Sequence, residues 1–138
     1  MYKFLALDPG DSHIGTAISD ELQMFAAPLK TIKPLELHQF LTDTLTSEPI
    51  NTIVIGYPKT MRGTVSPQTQ KSIDLKDNLE QLFPQIKFVL WDERLTSKSA
   101  SQIKKAKNKT DKLYQHSIAA AIILQTFLDQ ALFSDNNA

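Results

Sequence analysis

The sequence predicts an α/β protein built on a mixed five-stranded sheet, in the order β-β-β-α-β-α-β-α-α, with helices on both faces. Apolar runs at residues 2–7, 50–56 and 86–91 are separated by stretches of helical periodicity, the pattern of parallel strands with covering helices. Strand-like segments at 13–19 and 24–32 follow the first run through short turns, which join strands only in antiparallel fashion. The 138 residues, 41% of them apolar, suffice for one domain with its own core.

Each element has a local reason. Tyr2 to Leu7 is apolar apart from Lys3, which suits a central strand covered on both faces. Pro9-Gly10 fits the centre of a type II turn, proline presetting the first dihedral and glycine accepting positive φ. From His13 to Ser19, Ile14, Thr16 and Ile18 share one side, and the small Gly15, Ala17 and Ser19 share the other. Such a small face lets a helix or a ligand come close to the backbone. Asp20-Glu21 turns the chain into the strand at 24–32, where Pro28 cannot donate a ladder bond and so places it at an edge.

Pro34 suits the first turn of a helix reaching about Ser47, with Leu35, Leu37, Phe40, Leu41 and Leu45 as its apolar side. Ile50 to Gly56 is a short β-branched strand. After a loop from Tyr57 to Val65, Ser66-Pro67 announces a helix by a capping hydroxyl and a proline at the first helical position; it ends near Pro84. Ile86 to Trp91 is the last strand. Two helices, about Ser97 to Ala106 and Asp111 to Phe133, precede a frayed tail at 134–138. No repeat or linker interrupts the chain, so residues 1–138 are read as one domain.

Composition narrows the function. With no cysteine, disulfide scaffolds, thiolate zinc sites and cysteine nucleophiles are excluded. The apolar stretches are far short of a membrane span, and the first residues enter a strand pattern without a signal-peptide cleavage site. A cytoplasmic protein without a membrane partner is therefore expected. Fifteen basic and fifteen acidic residues cancel, yet 98–112 holds six lysines and one acid, Asp111, so this segment is +5 and the remainder −5. Lys104, Lys105, Lys107 and Lys109 in it are candidates to hold a polyanion; a solvated helix end is the plainer account.

Asp8 ends the first strand, and Glu93 follows the last one. In α/β sheets the ligand crevice lies beyond the carboxyl ends of the parallel strands, so both acids are expected there. Two carboxylates at one place repel unless a proton or cation separates them, and Mg²⁺ or Mn²⁺ is the natural cation for oxygen ligands. Two such ions about 3.5–4 Å apart serve phosphodiester cleavage. Alternatively, Asp8 caps its own turn and Glu93 pairs with Arg94 or a lysine.

His116, ahead of the apolar block 118–124, is the candidate third member, as Mn²⁺ ligand or as general base for a water. The alternative of nearly equal weight is a histidine merely hydrogen-bonded at a helix end. Asp111, in the first turn, suits the helix dipole. Lys59 and Arg62, in a glycine-bounded loop after the fourth strand, are candidate phosphate contacts, and the N–H groups of the helix capped by Ser66 can meet an anion. His38 and His13 are read as surface residues, His13 standing near enough to Asp8 to touch substrate. Trp91 and Phe88 are read as core.

Four blocks together resemble the YqgF family of RuvC-related, ribonuclease H-like proteins: Leu7-Asp8-Pro9-Gly10 with Ile14 to Asp20; Ile55-Gly56-Tyr57-Pro58 with Met61-Arg62-Gly63-Thr64; Asp92 to Ser97; and Ala119 to Gln125. They occur in the family's order and spacing over nearly the whole chain. The resemblance implies a ribonuclease H-like fold and a cytoplasmic nuclease that trims the 5′ end of precursor 16S ribosomal RNA; resolution of Holliday junctions is the older proposal for the family. Asp8 and Glu93 match its first two metal-binding acids. His116 stands where its third acid usually lies, a position at which some RuvC-type nucleases are similar in using histidine. His13 replaces an arginine or serine-like residue, and Arg62 often an acid.

The expected function is thus metal-dependent hydrolysis of phosphodiester bonds in structured RNA, with Mg²⁺ or Mn²⁺ on Asp8, Glu93 and His116, and with Arg94, Lys59 and Arg62 on phosphates. A resolvase would need branched DNA and two active sites in a homodimer; monomer and homodimer both remain open. A nucleic-acid-binding module that has lost catalysis is the rival of another class. An ATPase or sugar kinase, suggested by Asp8 to Gly15 alone, normally needs a second such domain.

Overall fold

The computed structural model describes residues 1–57, 66–93 and 109–136. Strand β1 (Lys3–Pro9) pairs antiparallel with β2 (Ile14–Ser19), and β2 pairs antiparallel with β3 (Ala26–Ile32). A 3-10 turn (Pro34–Glu36) leads into α1 (Leu37–Ser47), followed by β4 (Ile50–Tyr57), α2 (Pro67–Leu82), β5 (Lys87–Asp92) and α3 (Lys109–Asn136). β4 pairs parallel with β1 and with β5, so the sheet order is β3-β2-β1-β4-β5. The mixed five-stranded sheet is as expected, and β1, β4 and β5 end side by side.

Alternation along the strands sorts side chains into two layers. Leu5 and Leu7, Ile53 and Ile55, and Phe88 pack with Leu37, Phe40 and Leu41 of α1 and Leu79 of α2. On the opposite face Ala6, Ala17 and Val54 meet Ala120, Ala121, Ile123, Leu124 and Leu128 of α3. The second layer includes four alanines, and α3 lies nearly on the backbone of β2. A Cβ on Gly15 would stand 1.9 Å from the carbonyl oxygen of His116 and 2.4 Å from its carbonyl carbon. The small face of β2 is thus the seat of a helix.

Helix α3 is also tied to the edge strand. The Thr31 hydroxyl donates to the Leu113 carbonyl. Further along, the Gln125 amide accepts the Ala26 N–H and donates to the Met24 carbonyl, both at 2.9 Å. Gln125 thereby occupies polar groups that an edge strand would otherwise offer to another chain, and Pro28 in the same strand offers no N–H. Where the chain enters β3, one Asp20 carboxylate oxygen accepts the N–H groups of Met24 (2.9 Å) and Phe25 (3.0 Å). Those bonds hold the Asp20 carboxyl below its ordinary pKa and tighten a turn in which Gln23 takes φ 59°.

Two local expectations are corrected. Pro9 lies within β1, opposite Ile14, and Gly10 does not take a left-handed conformation. Instead the Gly10 N–H donates to the His13 carbonyl at 2.8 Å, leaving Asp11-Ser12 as the hairpin tip. Proline is tolerated because the β1–β4 ladder has already ended at Leu7 and Ile55, so no bond on that side requires its missing donor. Pro34 opens a 3-10 turn in which the Glu36 carboxylate accepts the Lys33 N–H at 2.8 Å; Leu35 is 98% exposed and is no part of the apolar side. The helix expected at 97–106 lies outside the described residues.

Gly15→Ala tests the close approach. Its Cβ would meet helix backbone, which cannot rotate away, so the helix or strand must shift. Overpacking of this kind costs about 1–3 kcal/mol or more. The urea midpoint should fall accordingly with an unchanged m-value, and an unaltered midpoint would show that α3 is not seated on Gly15.

Candidate active site

The site forms where β1, β4 and β5 end. By alternation Asp8 shares the face of Ala6, the face that α3 covers. Its neighbour across β2 is Gly15, in register with it. On the other side, Leu7 pairs with Ile55 in β4, so Gly56 comes level with Asp8. Asp8 is therefore flanked by two residues without side chains, and each absence admits something. At Gly15 it is the backbone of α3. At Gly56 a Cβ would lie 3.1 Å from Glu93 Oε1 and 2.7 Å from Ile123 Cδ1, so the gap admits the Glu93 side chain.

Glu93, immediately after β5, uses that gap to reach Asp8, and the two side chains share a hydrogen bond. Burial, followed by the hydrogen bond and the charge of Glu93, pushes the Asp8 pKa up to about 9 from its ordinary 3.8. Two interacting carboxyls titrate as a unit, and the direction is that of a pair retaining one proton. A divalent cation could take the place of that proton. Mg²⁺ typically uses one or two carboxylates, retained waters and substrate phosphate rather than a cage of protein ligands. The donor set fits such an ion, although among the described residues no three His, Asp or Glu side chains converge as a ready-made metal site.

His116 lies over the β1–β2 hairpin that carries Asp8. The backbone contact with Gly15 puts it at the level of Asp8, and its Cε1 comes within 3.9 Å of a Cβ built on Gly10. Its ring stands 5.6 Å from that of His13, tilted by 30°. Burial, and secondarily His13, lowers the His116 pKa, which favours the neutral imidazole able to accept a proton. His13 is half-buried in this contact rather than a surface residue, a correction that follows from the course of α3 across the hairpin. His38 is exposed on α1, with its ring 5.7 Å from Phe83.

The other wall is α2. The Ser66 hydroxyl accepts the Thr69 N–H at 3.2 Å, as a cap should, and the Ser72 hydroxyl donates to the Gly56 carbonyl at 3.4 Å. The start of α2 is thereby fixed beside the end of β4. Trp91 is structural: its indole N–H donates to Thr126 Oγ1 at 3.0 Å and its ring meets Phe127 edge-on at 5.3 Å. Phe88 lies in the core.

Lys59, Arg62, Arg94, Lys104, Lys105 and Lys107 lie outside the described residues, and Lys109 enters the description only as the first residue of α3. Of the residues named from sequence, the structure pairs Asp8 with Glu93 and sets the ring of His116 against that of His13. Sequence reasoning missed Gly56 as the gap for Glu93, and also missed Asp11, Gln68 and Lys71. A glycine in register with a strand-end acid was the available signal for Gly56; the other three touch only across the fold.

Residues 2–130 match the family model RuvX, described as a Holliday junction resolvase. A protein of Acetivibrio thermocellus named "Putative pre-16S rRNA nuclease" is 38% identical over 140 residues, 92% of this chain and 95% of its own length. A protein of the same name from Onion yellows phytoplasma is 40% identical over 134 residues, covering 91% and 87%. Among solved structures, Thermus thermophilus RuvC in complex with a Holliday junction substrate is similar with a TM-score of 0.59 over 96% of each chain, at 14% identity. That likeness is one of fold: a ribonuclease H-like sheet.

The acid pair predicts a pH-dependent stability. A carboxyl whose folded pKa lies above its unfolded value holds a proton that the unfolded chain gives up, so stability declines as pH rises from about 4 to about 9. Asp8→Asn removes the cost while keeping a donor toward Glu93. In chelator, its Tm should exceed the wild type's by several degrees at pH 8 and by little at pH 4.5. A gain that is the same at both pH values, or a loss at pH 8, would show that the pair holds no extra proton.

Proposed function

The chain belongs to the RuvX family, also called YqgF, and we propose that it is a metal-dependent nuclease that cuts structured RNA in the cytoplasm, processing the 5′ end of precursor 16S rRNA. The observation that carries this reading is the contact between Asp8 and Glu93 at the strand ends. The names of the relatives supply the substrate.

In this reading Asp8 and Glu93 are the residues that hold Mg²⁺ or Mn²⁺. When bound, the ion supplies charge stabilisation at the phosphate and a water of lowered pKa. On holding it, the acids would give up their shared proton, and their repulsion would be relieved. His116, brought level with Asp8 by its backbone contact with Gly15 and favoured as a neutral imidazole, would take the proton of the attacking water rather than complete a cage of ligands. Gly56 keeps Glu93 within reach of Asp8.

A second reading, cleavage of branched DNA, is favoured by the family's description and by the fold shared with a RuvC whose structure holds a Holliday junction. The two readings part on substrate. A 5′-leader fragment of precursor 16S rRNA and a four-way DNA junction, each incubated with Mg²⁺ or Mn²⁺, should show cleavage of the RNA. Asp8→Asn and Glu93→Gln should abolish it, and His116→Ala should lower kcat about 10²- to 10⁴-fold, the range for loss of a general base. Cleavage of the junction alone would move the assignment to DNA. Intact RNA and DNA in both metals, with RNA still bound, would leave a binding module.

A further inference from the structure

The hairpin tip makes a contact that the acid pair does not require. Asp11, three residues beyond Asp8, receives a hydrogen bond from the Gln68 side-chain amide, and Lys71 Nζ lies 3.5 Å from the same carboxylate oxygen. Gln68 and Lys71 are three positions apart and so share one face of α2, the helix whose start is fixed beside the end of β4. The contact therefore joins the hairpin that carries Asp8 to α2, whose start lies by the end of β4.

Its character is that of an exchangeable pair. The side chains of Lys71 and Asp11 are 65% and 74% exposed, and ion pairs in that setting add little to stability. What Gln68 and Lys71 present to Asp11 is an amide donor and an ammonium converging on one anionic oxygen. A backbone phosphate needs the same two groups. Asp11 also adds negative charge at the end of the sheet where Asp8 and Glu93 lie, which opposes a nucleic acid unless the charge is turned away or neutralised.

We propose that Gln68 and Lys71 form a contact for a substrate phosphate, which Asp11 occupies in the free protein and yields when nucleic acid binds. The proposal rests on the nucleic-acid substrate read above and adds to it a binding residue pair and an intramolecular competitor. Substrate affinity is then set partly by the hairpin tip. Loss of Asp11 frees the contact, whereas loss of Lys71 removes it whatever Asp11 does.

A double-mutant cycle reads this directly. Binding of the 5′-leader RNA would be titrated over a salt series for full-length protein carrying Glu93→Gln, so that the strand stays uncut. Asp11→Asn should tighten binding, and Lys71→Ala should weaken it about 3- to 10-fold and reduce the salt slope by about one. The decisive member is Asp11→Asn with Lys71→Ala. It should bind about 3- to 10-fold more weakly than Asp11→Asn, because the lysine contact is gone although the repulsion of Asp11 is relieved. If it binds as tightly as Asp11→Asn, Lys71 only neutralises Asp11 and the proposal fails, while cleavage that depends on Glu93 would leave the nuclease reading intact. Should the RNA be neither bound nor cut while the four-way junction is bound, the RNA assignment fails, and the same cycle on the junction decides the contact. Binding of neither would overturn both.

Discussion

Helix α3 rests against β2 at a point where the strand has no side chain, and the arrangement of the site follows from that contact. Any Cβ at Gly15 would occupy the same space as the His116 carbonyl. With the helix backbone held so close, small residues line this part of the layer between α3 and the sheet, Ala6, Ala17, Ala120 and Ala121 among them, while Ile123, Leu124 and Leu128 fill it further along. The same closeness carries the His116 ring to the level of Asp8 and sets it against His13. A larger residue at position 15 would lift the start of α3 and take His116 with it. One glycine thus serves packing and chemistry together.

The second constraint is electrostatic. Bringing Glu93 through the gap at Gly56 onto Asp8 is unfavourable for folding, because burial and like charge both oppose two ionised carboxylates. A sheet optimised for stability would place an alanine or a paired cation there. A cation bound between the acids would relieve that repulsion, so the pair that costs the fold would favour metal binding. Local destabilisation of this kind is characteristic of functional sites rather than of structural ones.

Much of the fold was legible because its signals are local. Pro28 announced the edge strand, the alternation of Gly15, Ala17 and Ser19 announced a close approach, and Ser66-Pro67 announced a helix that begins there. Asp8 and Glu93 could be paired because strand ends converge in a parallel sheet. What escaped depends on partners distant in sequence. Pro9 was read as the turn itself, although the ladder toward β4 stops two residues earlier and leaves the strand free to continue through a proline. One miss is local: the turn after Lys33 is a 3-10 turn, with the Glu36 carboxylate accepting the Lys33 N–H. His13 looked like a surface residue until α3 lay over it, and Asp11 meets Lys71 sixty residues away along the chain.

These partners converge on one short hairpin. Within eight residues it supplies Asp8 to the acid pair, Asp11 to α2, His13 to His116 and Gly15 to the backbone of α3. Only Gly15 and Asp8 are held by the ladder with β2; Asp11 sits at a tip closed by the Gly10–His13 bond. The ladder fixes the carboxylate that meets Glu93, whereas Asp11 is exposed at the tip and held by side chains of α2. Because both acids belong to this one hairpin, a ligand that displaced Asp11 from α2 would act on the element that carries Asp8.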